Sequence, residues 1–236
     1  MILFNPVRFG VSVIAKTLLF GMGWSPIKPK VLNRVADHNR VVCIYAHTSY
    51  VDFFILLLYT LAYHNKIGFI KTLIKPQAFK YAGGLLTKLG GIPSSKLENR
   101  GSNGTVRIAE ELDKFDKFAF LISPKGSIKK VEWRTGYYHI AKLLKCPIMI
   151  ATLDYEQKCI ISSDSIDPLV ESEENCKEFL KDKLSQSVPL YPRSEVFQVR
   201  YHDISKRGII KPGRLIILSA ISCAIFGMFS YRHMYG

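Results

Sequence analysis

The sequence predicts an α/β fold: a mixed, largely parallel sheet flanked by helices, with an N-terminal apolar helical segment and a C-terminal hydrophobic helix. Three observations predict it. Short apolar runs rich in β-branched residues alternate with stretches of helical length between residues 40 and 155. Two of those runs end at polar groups, His47 and Lys125, and open α/β sheets bind ligands just beyond the carboxyl ends of their strands. Both ends of the chain are apolar and basic, and contain no acid. At 236 residues the chain suits one domain with terminal extensions. The division expected is a membrane-associating helical segment over 1–36, a main domain over 37–208, and a hydrophobic tail over 209–236 that is a candidate transmembrane anchor.

Taken in order, Val11–Trp24 is apolar except for Ser12, Lys16 and Thr17. It is short for a span and lacks a small-residue cleavage site, so it reads as an amphipathic helix lying in a membrane interface, broken by Gly21, Gly23 and Pro26. Val41–Ala46 reads as a buried strand ending at His47. Thr48 or Ser49 can cap the helix that follows, for which Phe53–Ala62 has the length and apolar content. Ile67–Ile70 is a second candidate strand, and Gln77–Leu89 a helix closed by Gly90, Gly91 and Pro93. A helix over Asn103–Lys114, a strand over Lys117–Ser123, a short helix over Gly136–Lys145 and a strand over Pro147–Leu153 complete the alternation. Residues 155–205 are less regular, with an acidic patch at Glu171–Glu174. Leu215–Ser230 is 16 residues without a charge. As a helix it spans about 24 Å, against about 30 Å of hydrocarbon. Four basic residues precede it and one follows, which would leave the main domain facing the cytosol.

Composition narrows the partners. The net charge is +14, and ten of those charges sit in residues 1–36 and 204–236, the apolar ends. Basic plus apolar indicates an anionic membrane surface, whereas nucleic-acid binding needs no long apolar run and no nucleic-acid motif is present. The five cysteines are widely spaced and lack a C-x-x-C pair, which argues against a metal site or a disulfide framework.

His47 and Asp52 are the residues with general acid–base chemistry. A carboxylate that holds one imidazole N–H fixes the tautomer, leaving the other nitrogen to take a proton from a hydroxyl. Five residues on an ideal helix separate side chains by about 140°, so the two meet only if His47 precedes the helix and Asp52 lies in its first turn. By spacing alone the pair is equally a surface histidine beside a helix-start aspartate.

The blocks around and after His47 resemble the phospholipid and glycerol acyltransferases, which include the 1-acyl-glycerol-3-phosphate acyltransferases. His47 and Asp52 match that family's His-x4-Asp box. Phe69-Ile-Lys-Thr-Leu-Ile74 is similar to its second block and Gly90-Gly-Ile-Pro93 to its third. Ser123-Pro-Lys-Gly-Ser127 aligns with the block usually read Phe-Pro-Glu-Gly-Thr-Arg, and Thr135–Ala141 and Pro147–Tyr155 with later segments. The resemblance implies transfer of a fatty acyl group from acyl-CoA or acyl-carrier protein to the hydroxyl of 1-acyl-glycerol-3-phosphate, giving phosphatidic acid. It implies His47 as the base, Asp52 as its orienter, and no covalent acyl-enzyme, in keeping with the lack of a nucleophile elbow. Gly91, Ile92, Pro93, Lys96, Lys125, Gly126, Ser127 and Lys129 become the expected substrate-binding residues. The expected partners are membrane lipid, a lysophospholipid acceptor and the thioester donor; no cofactor or metal is expected. Lys125 stands where the family usually has Glu, Ile128 where it has Arg, and Ser95-Lys96 where it has Asp-Arg. Lysine lacks arginine's bidentate fork, so the acceptor could differ. Two other readings stay open: an acyltransferase for another lysophospholipid, and a non-catalytic homologue that binds lipid or acyl-CoA.

Overall fold

The computed structural model of the chain describes residues 6–67, 70–74, 79–80, 84–93, 103–126 and 132–190. The elements are α1 (Pro6–Gly21), α2 (Pro29–Ala36), β1 (Arg40–Ile44), α3 (Tyr50–Ile67), β2 (Ile70–Ile74), α4 (Gly84–Lys88), β3 (Gly91–Pro93), α5 (Asn103–Asp113), β4 (Phe118–Ile122), α6 (Gly136–Leu143), β5 (Ile148–Asp154), β6 (Cys159–Ser162) and α7 (Glu173–Ser185). The six strands form one sheet in the order β3-β2-β4-β1-β5-β6. β3, β2, β4, β1 and β5 run parallel, and β6 is antiparallel to β5. The mixed, helix-flanked sheet expected from the sequence is therefore what the chain forms.

Side chains alternate across the sheet with period two, and the two faces are covered by different helices. Val42, Ile44, Phe118, Phe120, Ile148 and Ile150 meet Ile108 and Leu112 of α5, Ile140 of α6 and Leu180 of α7. The intervening residues Val41, Cys43, Ala119, Leu121, Met149 and Ala151 face the other way, toward Val35 of α2 and Leu56 of α3. Burial on both faces explains why β1, β4 and β5 read as continuous apolar runs. α1 and α2 join this second layer: Ala15, Leu19, Trp24, Ile27 and Val31 pack with Ile55, Tyr59 and Leu153.

Differences from the sequence reading have local causes. The second strand is Ile70–Ile74 and not Ile67–Ile70, because α3 continues to Ile67 through a kink at Tyr63. The Tyr63 hydroxyl accepts from the Ile27 N–H at 3.0 Å, tying that kink to the N-terminal segment. Lys71 and Thr72 hid β2 because its side chains are only half-buried. Residues 155–190 are regular after all, holding β6 and α7. The acidic patch is the first turn of α7, where Ser172 accepts from the Asn175 N–H and Glu173 and Glu174 suit the positive helix end. Its buried side is Cys176, Leu180 and Leu184, four residues apart. Of the helix expected over Gln77–Leu89, Gly84–Lys88 is α4, and part of the remainder lies outside the described residues. The tail over 209–236, with its expected hydrophobic helix, also lies outside them.

α1 buries Ser12, Ala15 and Leu19, spaced as one helical stripe, and the Ser12 hydroxyl donates to the Ala62 carbonyl at 2.6 Å. Phe9, Val11, Val13, Ile14, Leu18 and Phe20 remain exposed, Phe20 at 80%. Among the described residues no helix is long and apolar enough to cross a membrane.

Candidate active site

Parallel strands present all their carboxyl ends on one edge, and that edge gathers the polar residues singled out in the sequence. β1 leads to His47, β4 to Ser123 and Lys125, β3 ends at Pro93, and β5 leads to Tyr155. Ladder bonds continue past the strands and hold this edge in register: the Tyr45 N–H donates to the Ile122 carbonyl, and the Ala46 N–H to the Thr152 hydroxyl at 3.0 Å.

His47 falls between β1 and α3, and Asp52 lies in the first turn of α3. Ser49 caps the helix, its hydroxyl accepting from the Val51 N–H at 2.8 Å. Asp52 reaches back in the manner of a capping box: its Oδ2 accepts from the Ser49 N–H at 2.8 Å and the Thr48 N–H at 2.7 Å. Its Oδ1 accepts from the Tyr155 hydroxyl at 2.6 Å. The carboxylate is 1% exposed and fully engaged. His47 Nδ1 lies 3.8 Å from Asp52 Oδ2, within ion-pair range but beyond a hydrogen bond. That Nδ1 is buried without a hydrogen-bond partner among the described residues, as is the Ser123 hydroxyl. Buried polar atoms are nearly always paired, and for Nδ1 the Asp52 carboxylate is the nearest charged group.

Both orphans line a recess of about 10 Å³ walled by Tyr45, Pro124, Lys125, Trp133 and Leu184. It has room for a water-sized group, such as a reacting hydroxyl, and not for the rest of a lipid acceptor. The Tyr45 ring sits 5.9 Å from that of His47. Burial, helped by the Asp52 charge, pushes the Tyr45 hydroxyl above the ordinary tyrosine range. Lys125 is buried and makes no ion pair among the described residues; desolvation holds its ammonium below the usual lysine range. An uncompensated cation is costly here unless an anion arrives. Gly126 turns the chain with φ of 61° after its N–H donates to the Ser123 carbonyl.

A larger apolar cavity of about 50 Å³ lies on the opposite side of the sheet, lined by Val31, Leu56, Ile70 and Cys43 among others. Burial pushes the Cys43 thiol up to about 12, so it supplies no nucleophile. Among the described residues no group of three or more His, Cys, Asp or Glu could hold a metal ion.

Gly91, Ile92 and Pro93 form β3, three strands from β1 and so about 14 Å along the sheet from the strand carrying His47. Both glycines of this block answer to packing. A Cβ on Gly90, where φ is 87°, would strike the Ile70 carbonyl oxygen, and one on Gly91 would come within 2.8 Å of Ile74 Cδ1 and the Leu86 carbonyl. Lys96, Ser127 and Lys129 lie outside the described residues. Sequence reasoning missed Tyr155 as a site residue: it was part of a recognised segment, but nothing in spacing links it to Asp52 103 positions away.

A model of the acyltransferase family matches residues 27–153, more than half of the chain, from two residues before α2 to the last but one residue of β5. The chain belongs to that family, the phospholipid and glycerol acyltransferases. Acyl transfer is the general activity this membership supports. Comparison with curated proteins gave no match.

Proposed function

We propose that the chain moves a fatty acyl group from acyl-CoA or acyl-carrier protein to the free hydroxyl of 1-acyl-glycerol-3-phosphate, giving phosphatidic acid. The observation that carries this reading is the orphaned, buried Nδ1 of His47 facing the buried Asp52 carboxylate at the sheet's carboxyl edge. The far ring nitrogen of His47 takes the proton of the acceptor hydroxyl as its oxygen attacks the thioester carbonyl. Collapse of the tetrahedral intermediate expels the thiolate, which receives the proton from the imidazolium. Asp52 steadies that imidazolium through Nδ1, which requires the 3.8 Å separation to shorten by about 1 Å in the substrate complex. Lys125 supplies the cation for an acceptor phosphate, a role favoured by its burial without a carboxylate partner among the described residues. Lys96, Ser127 and Lys129 are further candidates on sequence grounds, beside Gly126 at the turn after β4.

The membrane is the second part of the reading. Six large apolar side chains of α1 stay exposed on a segment whose charges are all basic. A patch of that kind marks an interaction surface, and an anionic bilayer matches both its apolar and its basic character. The domain would lie on the cytosolic face with its acceptor supplied from the lipid.

The test is labelled acyl-CoA with a panel of lysophospholipids, comparing wild type and His47→Ala. The expected result is acylation of the glycerol-3-phosphate acceptor and a loss of about 10²–10⁴ in rate for the variant. Equal rates for the two proteins overturn the base assignment. Acylation of a different lysolipid transfers the proposal to that acceptor. Binding of lipid without turnover identifies a non-catalytic homologue. For the membrane, Phe20→Glu should weaken binding to anionic vesicles; unchanged binding refutes the α1 surface.

A further inference from the structure

We infer that Tyr155 is a positioning residue for acyl transfer, selecting which oxygen of Asp52 faces His47. The inference rests on the reading of His47 and Asp52 as base and orienter. Asp52 has two chemically equivalent oxygens, and only one can serve the imidazole. Tyr155 donates to Oδ1 at 2.6 Å, while Thr48 and Ser49 donate their backbone N–H groups to Oδ2. A short O–H···O⁻ bond is among the stronger hydrogen bonds proteins make. Together with the Thr48 hydroxyl, 3.4 Å from Oδ2, these donors hold the carboxylate through both oxygens and leave Oδ2 toward His47 Nδ1. Without Tyr155 only Thr48 and Ser49 would hold the group, both through Oδ2, and the carboxylate would be free to swing its Oδ1 about the Cβ–Cγ bond or toward solvent.

The tyrosine is itself fixed, as a positioning residue must be. It sits one residue beyond β5, at the start of the turn into β6. The buried Asp154 carboxylate closes that turn, Oδ1 accepting from the Gln157 N–H at 2.7 Å and Oδ2 from the Val188 N–H at 3.2 Å. The Tyr155 N–H donates to the Val188 carbonyl at 2.8 Å. Its ring meets Trp24 edge-on, with centroids 5.1 Å apart. The same turn is stitched to the end of α1: the Ser25 N–H donates to the Lys158 carbonyl, and Lys158 Nζ donates to the Met22 carbonyl. The segment with the exposed apolar face thus ends against the residue that orients the carboxylate.

The test uses the full chain and four variants: Tyr155→Phe, Asp52→Asn, the two combined, and His47→Ala, each followed by single-turnover transfer from labelled acyl-CoA. Phenylalanine keeps the ring against Trp24, so the melting temperature should stay within about 4 °C of wild type. Tyr155→Phe should lower the rate about tenfold, the lower end of what a hydrogen bond to a charged group is worth, with acceptor KM unchanged. In the Asp52→Asn background the same change should alter the residual rate by less than about twofold, because the residues act as one unit. Wild-type rates in Tyr155→Phe overturn the inference, as does the same tenfold loss in both backgrounds. A wild-type rate in His47→Ala would instead bring down the underlying dyad. A neutral Tyr155→Phe beside an inactive His47→Ala strikes the tyrosine alone.

Discussion

Asp52 carries two duties that substitution can separate. In Asp52→Ala the Thr48 and Ser49 N–H groups and the Tyr155 hydroxyl lose their acceptor at a site 1% exposed. A buried donor left unsatisfied costs about 1–3 kcal/mol, and the negative charge in the first turn is worth about 0.3–1 kcal/mol more. Local relaxation and water will recover part of this, so we expect a loss of about 3–5 kcal/mol. Asp52→Asn behaves differently. Its carbonyl oxygen can take both backbone donors, while its amide donates to the Tyr155 hydroxyl, which can accept. The folded state then loses about 1 kcal/mol, the charge and some geometry. Activity should fall by about 10²–10⁴ in both variants, because the imidazolium loses its counter-charge either way. Urea unfolding followed by circular dichroism measures the first quantity, and transfer from labelled acyl-CoA the second. Equal stability of the alanine and asparagine variants would refute the capping argument. Near wild-type turnover in Asp52→Asn would refute the electrostatic one.

Other consequences are also measurable. Gly90→Ala should destabilise the chain by about 2 kcal/mol or more, since its Cβ would strike the Ile70 carbonyl from a left-handed backbone; a shift in urea midpoint checks it, and a neutral result contradicts the packing at β2–β3. Burial pushes Cys43 and Cys146 up to about 12, above the 9.0 of an ordinary thiol. Between those pH values the unfolded chain releases protons that the folded chain retains, so these groups stabilise the fold below pH 9 and lose that contribution as pH rises toward 12. Unfolding midpoints at pH 8 and about pH 11 should show the fall, and it should shrink in Cys43→Ala. Lys125 acts in the opposite direction, its lowered ammonium relieving the folded state as pH rises, so Lys125→Met should deepen the alkaline loss.

Much of the fold was legible because two-sided burial writes itself into composition. β1, β4 and β5 are almost unbroken apolar runs, covered on both faces. β2 starts three residues later than the apolar run suggests and ends four later, because its side chains are half-buried and Lys71 and Thr72 interrupt the run. α7 is hard to read because its buried positions are only three, Cys176, Leu180 and Leu184, in a strongly charged segment. The strand-to-helix placement of His47 and Asp52 was derivable, since an apolar β-branched run ends at His47, a helical stretch follows, and residues five apart within one helix point about 140° away from each other.

The sequence alone determined the layer architecture, the placement of His47 and Asp52 on either side of a strand-to-helix junction, and the family through ordered local blocks. Each of these depends on neighbours close in the chain or on the period of apolar residues, and both are written in one dimension. Tertiary structure decided what surrounds the pair. It brought Tyr155 onto Asp52 across 103 positions, set Lys125 and Ser123 beside His47 through the β4–β1 register, and turned Gly90 and Gly91 into packing requirements. Those contacts depend on strand order, and the placement of β4 between β2 and β1 is fixed by how the whole sheet closes over its helices and not by any local run of residues.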